Sequence, residues 1–379
     1  MPPPTLIVAR AVRNATQALW IEHAAPSTVP LPVDAVAQRE LVRALLARHG
    51  WNTASCQIAN PGIAHWFSPD QDAVVGYVAA GGVWVVAGAP VCAPEHRAAV
   101  AGAFEAAATR QGRRVCYFGA QAPEAEDLAG TGPLARLLIG AQPVWDPRGW
   151  PAIVACKASL RSQIARARNK DVAVHAWPAE RAARQPELQR CLHEWLASRG
   201  LPPMHFLVEP ATLRAPEGRR VFVAQRHGTP VAYLVATPVP RRAGWLFEQI
   251  VRSHDAPNGT TELLIDSAMR ELAADGAAWI TLGLAPLSRI AAGTETSQGA
   301  LVRLLRAWAR DHGRRFYHFA GLEAFRARLQ PAAWEPVYLL SRERRTSLRT
   351  LYAVAWAFGG TAPPRFVARA LLRAWAAPS

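Results

Sequence analysis

His254-Asp255-Ala256-Pro257-Asn258-Gly259-Thr260-Thr261-Glu262-Leu263-Leu264-Ile265-Asp266 is the stretch whose reading decides the fold. An apolar, strand-like run from Trp245 to Val251 precedes it, and helical spacing follows it. Pro-Asn-Gly breaks the chain and supplies a tight turn. Thr260 or Thr261 is expected to cap the helix, with Glu262 in the first turn, where a carboxylate favours the helix dipole. Strand, glycine turn and helix N-terminus make either a capped surface helix or a site for an anionic or carbonyl-bearing ligand. The flanks have to decide between them.

Upstream, Arg220 to Gln225 and Val231 to Thr237 form a hairpin across His227-Gly228-Thr229-Pro230, and Trp245 to Val251 adds a third strand. A helix from Thr261 to Ala274 and a strand from Ala278 to Leu284 follow the turn. The same order occurs earlier. Strands Asp72 to Ala79 and Val83 to Ala87 meet at Gly81-Gly82, then come the breaker Gly88-Ala89-Pro90, a helix from Pro94 to Gln111 and a strand from Arg113 to Phe118. Gln38 to His49 is an amphipathic helix with Leu41, Leu45 and Leu46 on one side. Gly130 to Trp150, rich in Gly and Pro, has the look of a domain connection. This order predicts an α/β (α+β) fold of tandem acetyltransferase-type (GNAT-like) lobes, each a mixed, mainly antiparallel sheet with flanking helices. A doubly wound dinucleotide fold fits poorly, because no GxGxxG follows a first strand. The expected organisation is an irregular segment 1–36, an N-terminal lobe 37–150, a basic linker helix and C-terminal lobe 151–345, and a basic amphipathic tail 346–379.

Lys and Arg exceed Asp and Glu by 43 − 28 = 15 in 379 residues, which points to a polyanionic partner, nucleic acid or an anionic membrane surface. Five scattered cysteines without a CxxC pair suit a reducing compartment and argue against a disulfide framework or a zinc site. The eleven histidines form no HxxxH set, and no nucleophile elbow is present, so no metal is expected. The start, Met-Pro-Pro-Pro, lacks a signal pattern, and no apolar run approaches the roughly 18–20 residues that cross a bilayer. A soluble or peripheral cytoplasmic protein is expected.

Between the halves, Lys157 to Lys170 carries five basic residues and no acid. At helical spacing Leu160, Ile164 and Ala167 make one stripe, with Lys157, Arg161 and Arg168 beside it within about a 40° arc. Arg166 and Lys170 point the other way. The helix is either a solvated charged face or a row of cations for phosphates.

Three segments together resemble the cytosolic C-terminal domain of bacterial phosphatidylglycerol lysyltransferases, the multiple peptide resistance factor family. They are Ser159-Leu160-Arg161 through Arg168, Asp255 to Gly259 with Glu262 and the strand Leu282 to Ser288, and Phe316 to Arg326 followed by Trp334 to Leu339. Coverage runs from about residue 38 to 341. The family's Asp before the turn is matched by Glu248, its Phe-Arg-Gly-Leu-Arg run by Phe319-Ala320-Gly321-Leu322-Glu323, and a following Lys by Arg326. The resemblance implies transfer of an aminoacyl group, lysyl in the family, from aminoacyl-tRNA to the hydroxyl of a membrane lipid such as phosphatidylglycerol. Aminoacyl-tRNA is then a co-substrate and no cofactor is needed.

Such a transfer exchanges one ester for another, so the enzyme mainly positions the partners and stabilises an oxyanion. Backbone N–H groups around Asn258, Gly259 and Thr260 are candidates for that. Glu248 is a candidate base or ligand of the aminoacyl ammonium, or a plain strand carboxylate. Asp255 and Glu262 are alternative ammonium ligands, and Asp266 either lines the pocket or faces solvent. Arg252, Lys157, Arg161, Arg166, Arg168 and Arg326 are placed against phosphates or substrate, with Gly283 permitting close approach and Ser288 and Phe319 lining it. Two rival readings are a CoA-dependent N-acyltransferase, disfavoured because Pro257-Asn258-Gly259 replaces a pyrophosphate loop, and a non-catalytic tRNA- or membrane-binding relative.

After Glu343 the chain has no acidic residue and six arginines, Arg344, Arg345, Arg349, Arg365, Arg369 and Arg373. With Tyr352, Trp356 and Phe358 this segment is expected either to lie in an anionic membrane interface or to pack back on the lobes.

Overall fold

The computed structural model describes residues 33–130, 132–199, 202–214, 218–288 and 319–376. The irregular segment expected for residues 1–36 therefore lies almost wholly outside the described residues, as do Phe316, Tyr317 and His318. In chain order the elements begin with α1 (Val33–His49), α2 (Thr53–Cys56), β1 (Ala64–Phe67), β2 (Val74–Ala80), β3 (Val83–Ala87), α3 (Arg97–Arg110), β4 (Arg114–Ala120), α4 (Ala122–Ala129) and β5 (Ala135–Trp145). The chain continues through α5 (Trp150–Cys156), α6 (Ala158–Arg168), β6 (Val172–Trp177), α7 (Ala179–Ala183), α8 (Pro186–Ala197), β7 (Arg220–Arg226), β8 (Thr229–Val239), β9 (Gly244–Arg252) and α9 (Thr260–Ala274). The last elements are β10 (Trp279–Thr281), β11 (Ala285–Pro286), α10 (Phe319–Arg328), β12 (Ala333–Ser341), α11 (Leu348–Gly359) and α12 (Pro363–Ala376).

All the described strands join one sheet, ordered β1-β2-β3-β4-β12-β5-β10-β9-β8-β7-β6, with β11 pairing β5. It is mostly antiparallel. Among the described strands only β3–β4 and β9–β10 are parallel, and each of these pairs is bridged by a helix, α3 or α9. The unit of hairpin, helix and parallel strand thus occurs once in each half, which is the tandem GNAT-like arrangement expected. The alternating apolar positions of these strands fill separate cores. One lies under α6 and α9 and contains Leu160, Ile164, Phe247, Leu264, Met269 and Ile280. Others lie on the two faces of the N-terminal half and under α8. Each such fully buried large apolar side chain contributes about 1.5–3 kcal/mol.

Several expectations need correction. Gly130 to Trp150 is not a connection, since β5 occupies its centre and pairs along its length with β12. Its Gly140 leaves room for β11, because a Cβ there would stand 2.2 Å from the Ala285 carbonyl oxygen. The strand expected over Ala278 to Leu284 is cut at Gly283, whose φ of +70° turns the chain from β9 towards β5. After residue 345 the chain packs back on the fold, one of the two arrangements expected of it. Helix α11 buries Ala353 and Ala357, and Phe358 meets Phe118 and Phe206 edge-on at 5.0 and 5.3 Å. All five cysteines are free.

Candidate functional site

Strand β10 pairs with β9 over three residues only, ending at Leu246↔Thr281. Beyond that point no strand pairs with Phe247 to Arg252 on this side, among the described residues. The two strands splay, and an unpaired strand edge leaves backbone N–H and C=O groups for a ligand. Glu248 lies near the apex. In the β8–β9 ladder Val235 faces Gln249 while Ala236 faces Phe247, so Glu248 is the extra residue of a bulge. A bulge re-aims its side chain. Phe247 enters the core under α9, whereas Leu246 packs with Cys56 on the opposite face.

Glu248 joins a buried network on that opposite face. Its Oε1 accepts from Gln57 Nε2 at 3.0 Å and Asn60 Nδ2 at 2.7 Å. Its Oε2 accepts from Arg219 Nε at 3.1 Å and from the Thr237 hydroxyl. Arg219 also donates to Asn60 Oδ1 and Thr237 Oγ1, and both ionic side chains are only 3% exposed. Burial pushes the carboxyl pKa up, but Arg219 and the three polar donors outweigh it and hold it below the ordinary value. The carboxylate is ionised with its lone pairs occupied. The strand-end position expected for Glu248 is corrected: it sits mid-strand, about 13 Å along β9 from Arg252 at 3.3 Å per residue.

A second network links the halves further along. Arg242 grips Glu335 with bonds of 2.8 and 2.9 Å, and Gln121 and Gln142 donate to the same carboxylate at 2.7 and 2.9 Å. The guanidinium lies between Trp51 and Trp279, 3.9 and 4.4 Å from their rings. Burial raises the Glu335 pKa, but Arg242 and the amides bring it below normal. Neither network was named from the sequence. The available signal was polar residues inside apolar runs, such as Thr237 in β8 and Glu335 in β12.

At the mouth of the splay, Gly259 is the N-cap of α9, at φ +94° and without a side-chain cap. Thr260 does not cap. It is fully buried, and its N–H and hydroxyl both donate to the Pro257 carbonyl, at 3.2 and 2.7 Å. The N–H groups of Thr261 and Glu262 have no acceptor among the described residues. Ser253 Oγ, nearby in the chain, is buried without a hydrogen-bond partner among the described residues. Asp255, Asn258 and Arg252 are exposed, and Glu262 is half-buried.

Helix α6 buries Leu160, Ile164 and Ala167, the expected stripe. Its cations divide. Arg168 pairs with Asp266 at 3.1 Å, and Arg161 donates to the Val154 and Ala155 carbonyls that end α5. Asp266, 1% exposed, is no pocket wall or solvated group. It also accepts from Trp150 Nε1 at 2.9 Å and Arg270 Nε at 2.8 Å, bolting α6 to α9. Lys157, Arg166 and Lys170 have no charge partner among the described residues. Asp266→Asn is expected to lower stability by about 2 kcal/mol through loss of two ion pairs, read as a shift in urea midpoint at unchanged slope. An unchanged midpoint would show that the bolt contributes nothing.

On the far side of the splay, Gly283 lies against Leu246, and Arg326 Nη2 donates to the Leu282 carbonyl at 2.7 Å. Ser288 is fully buried. Phe319 opens α10, but its side chain lies outside the described residues. No group of three or more His, Cys, Asp or Glu side chains suits a metal ion among the described residues.

The model of the family described as phosphatidylglycerol lysyltransferase, C-terminal, matches residues 43–341. Among solved structures, one described as the C-terminal domain of a lysylphosphatidylglycerol synthetase from Agrobacterium fabrum is similar at a TM-score of 0.72 and 21% identity. The similarity covers 86% of this chain and 99% of that one. L-PGS from Bacillus licheniformis gives 0.69 and 19%, over 89% and 96%. FemX gives 0.51 and 8%, over 83% and 98%. These likenesses show the fold. No curated protein matches.

Proposed function

The chain belongs to the phosphatidylglycerol lysyltransferase C-terminal family, and from that premise we propose that it moves an aminoacyl group from aminoacyl-tRNA to the hydroxyl of a membrane lipid such as phosphatidylglycerol, at the inner face of the bacterial plasma membrane. The observation that carries this reading is the splay between β9 and β10, with the open N-terminus of α9 at its mouth.

The lipid oxygen adds to the ester carbonyl carbon, the bond to the tRNA ribose oxygen breaks, and the hydroxyl proton ends on that ribose oxygen. The free energies of the two esters are close, so positioning and oxyanion stabilisation carry the rate. The N–H groups of Thr261 and Glu262 are placed for the oxyanion. Asp255 and Glu262 offer carboxylates to the aminoacyl ammonium. Lys157, Arg166 and Arg252 offer cations to the tRNA acceptor end, with salt-sensitive affinity. Glu248 holds the bulge that shapes the apex. Aminoacyl-tRNA is the co-substrate, and no cofactor is required.

The test incubates the protein with mixed charged tRNAs and inner-membrane lipids and examines the lipid extract by mass spectrometry. A new aminoacylated lipid is expected, and its absence with every charged tRNA sinks the reading. Asp255→Asn with Glu262→Gln is expected to raise KM for aminoacyl-tRNA by roughly 10- to 100-fold, the worth of one charge-assisted hydrogen bond. An unchanged KM removes the ammonium role from both residues.

A further inference from the structure

The helical hairpin α11–α12 follows the last residue that the family model matches. One side of it is fixed to the fold through Ala353, Ala357 and Phe358. The other side gathers open apolar side chains. Of the five large hydrophobic residues exposed among the described residues, Leu348 at 67%, Tyr352 at 40% and Val367 at 50% stand on this hairpin. A fourth, Val208 at 44%, stands on the 3-10 turn Phe206–Val208 that packs against α11. Leu348, Tyr352 and the exposed Ala355 follow one another at i, i+4 and i+7, a single stripe along α11.

Exposed cations stand on the same hairpin, those of α12 about 160° round the helix from Val367. Arg344, Arg345 and Arg349 flank the start of α11, and Arg365 and Arg369 lie one turn apart on α12. No acidic residue follows Glu343 in the chain to balance them. Single exposed hydrophobics are ordinary on a protein surface. Here most of them share one hairpin with unbalanced arginines, the composition of a segment that lies in a lipid interface.

We propose that the outer face of α11–α12 docks this protein on an anionic bilayer, with Leu348, Tyr352 and Val367 entering the headgroup boundary and Arg344, Arg345 and Arg349 at the start of α11 meeting lipid phosphates. The proposal rests on the lipid-modifying reading above, because an acceptor held in a membrane has to be reached from its surface. Docking of this kind draws on each Arg near the surface and on apolar burial.

The experiment uses the full chain and two sets of vesicles, phosphatidylcholine alone and phosphatidylcholine with phosphatidylglycerol, read by sedimentation. Binding to the anionic set alone is expected. Arg344→Gln/Arg345→Gln/Arg349→Gln is expected to weaken it by roughly tenfold or more. Leu348→Asp/Val367→Asp is expected to weaken it as well. All five positions are exposed, so both variants should melt as the wild type does, which separates lost docking from lost folding.

The proposal is overturned if the wild type ignores anionic vesicles or if both folded variants bind them as the wild type does. It is equally overturned if the arginine variant loses tRNA binding while vesicle binding persists, since the surface then serves nucleic acid. Vesicle binding needs no turnover. Binding without any aminoacylated lipid defeats the proposed function alone. Product formed from detergent-dispersed lipid, without vesicle binding, defeats the docking surface alone.

Discussion

Gly259→Ala is expected to destabilise the protein by about 3 kcal/mol or more and to remove transferase activity. Two costs add. The position is held at φ +94°, where an L side chain pays about 1–2 kcal/mol. The added Cβ would also stand 2.0 Å from the carbonyl oxygen of Gln163, a backbone atom of α6 that cannot rotate aside. The basic helix must move, and with it Leu160, Ile164 and Ala167 from the core and Arg168 from Asp266. In thermal unfolding this amounts to a fall of roughly 4 °C or more for a chain of 379 residues. A variant that melts and turns over like the wild type would show that α6 does not sit on the turn. The glycine therefore does more than shape a tight turn: it is the point at which the helix rich in cations touches the N-terminus of α9.

Glu248→Gln should have an effect of similar size for an electrostatic reason. The substitution leaves Arg219, 3% exposed, without its counter-charge, and breaking a buried pair from one side costs about 3–5 kcal/mol. Removing both charges with Arg219→Gln/Glu248→Gln is expected to cost less than the sum of the singles. Acid gives an independent check. The folded-state pKa of Glu248 is lowered, so its contribution is present above the ordinary value of 4.5 and is lost as pH falls through the folded value. Glu335 has the same sign. Glu124 has the opposite one, since burial raises its pKa and ionisation costs stability as pH rises through it. Wild-type stability should therefore fall below about pH 4.5, and Glu248→Gln should flatten that slope. A glutamine variant of full stability with a lost rate would instead make Glu248 a proton-transfer group.

Much of the fold was legible because its signals are local. The stripe Leu160, Ile164, Ala167 follows from helical spacing alone, and the structure buries those three residues of α6. The two hairpin–helix–strand units were marked by glycine and proline punctuation. Strand β5 was hidden by the same rule. Its Gly140 and Pro143 signal a loop, yet Gly140 is there because β11 approaches too closely for a side chain. The candidate site was legible only at the turn. Whether Glu248 is a base or an anchor depends on Asn60 and Gln57, 188 and 191 residues away, and on a bulge defined by the partner strand. Pairing of Asp266 with Arg168 spans 98 residues in the same way. Spacing along one helix cannot reveal such a partner.

The position of β12 bears on how this protein comes into being. Its nine residues, 333 to 341, pair with β5, and the last four, 338 to 341, also pair with β4, two strands made some two hundred positions earlier. During synthesis the first half emerges with both of those edges bare, and it cannot close its sheet until nearly the whole matched region has left the ribosome. Until then β4 and β5 present unpaired backbone to any neighbouring chain, and contacts of such long sequence separation form slowly. The halves repeat one another in architecture but not in independence: the nascent N-terminal half must be shielded, or wait, until the C-terminal half supplies its missing strand.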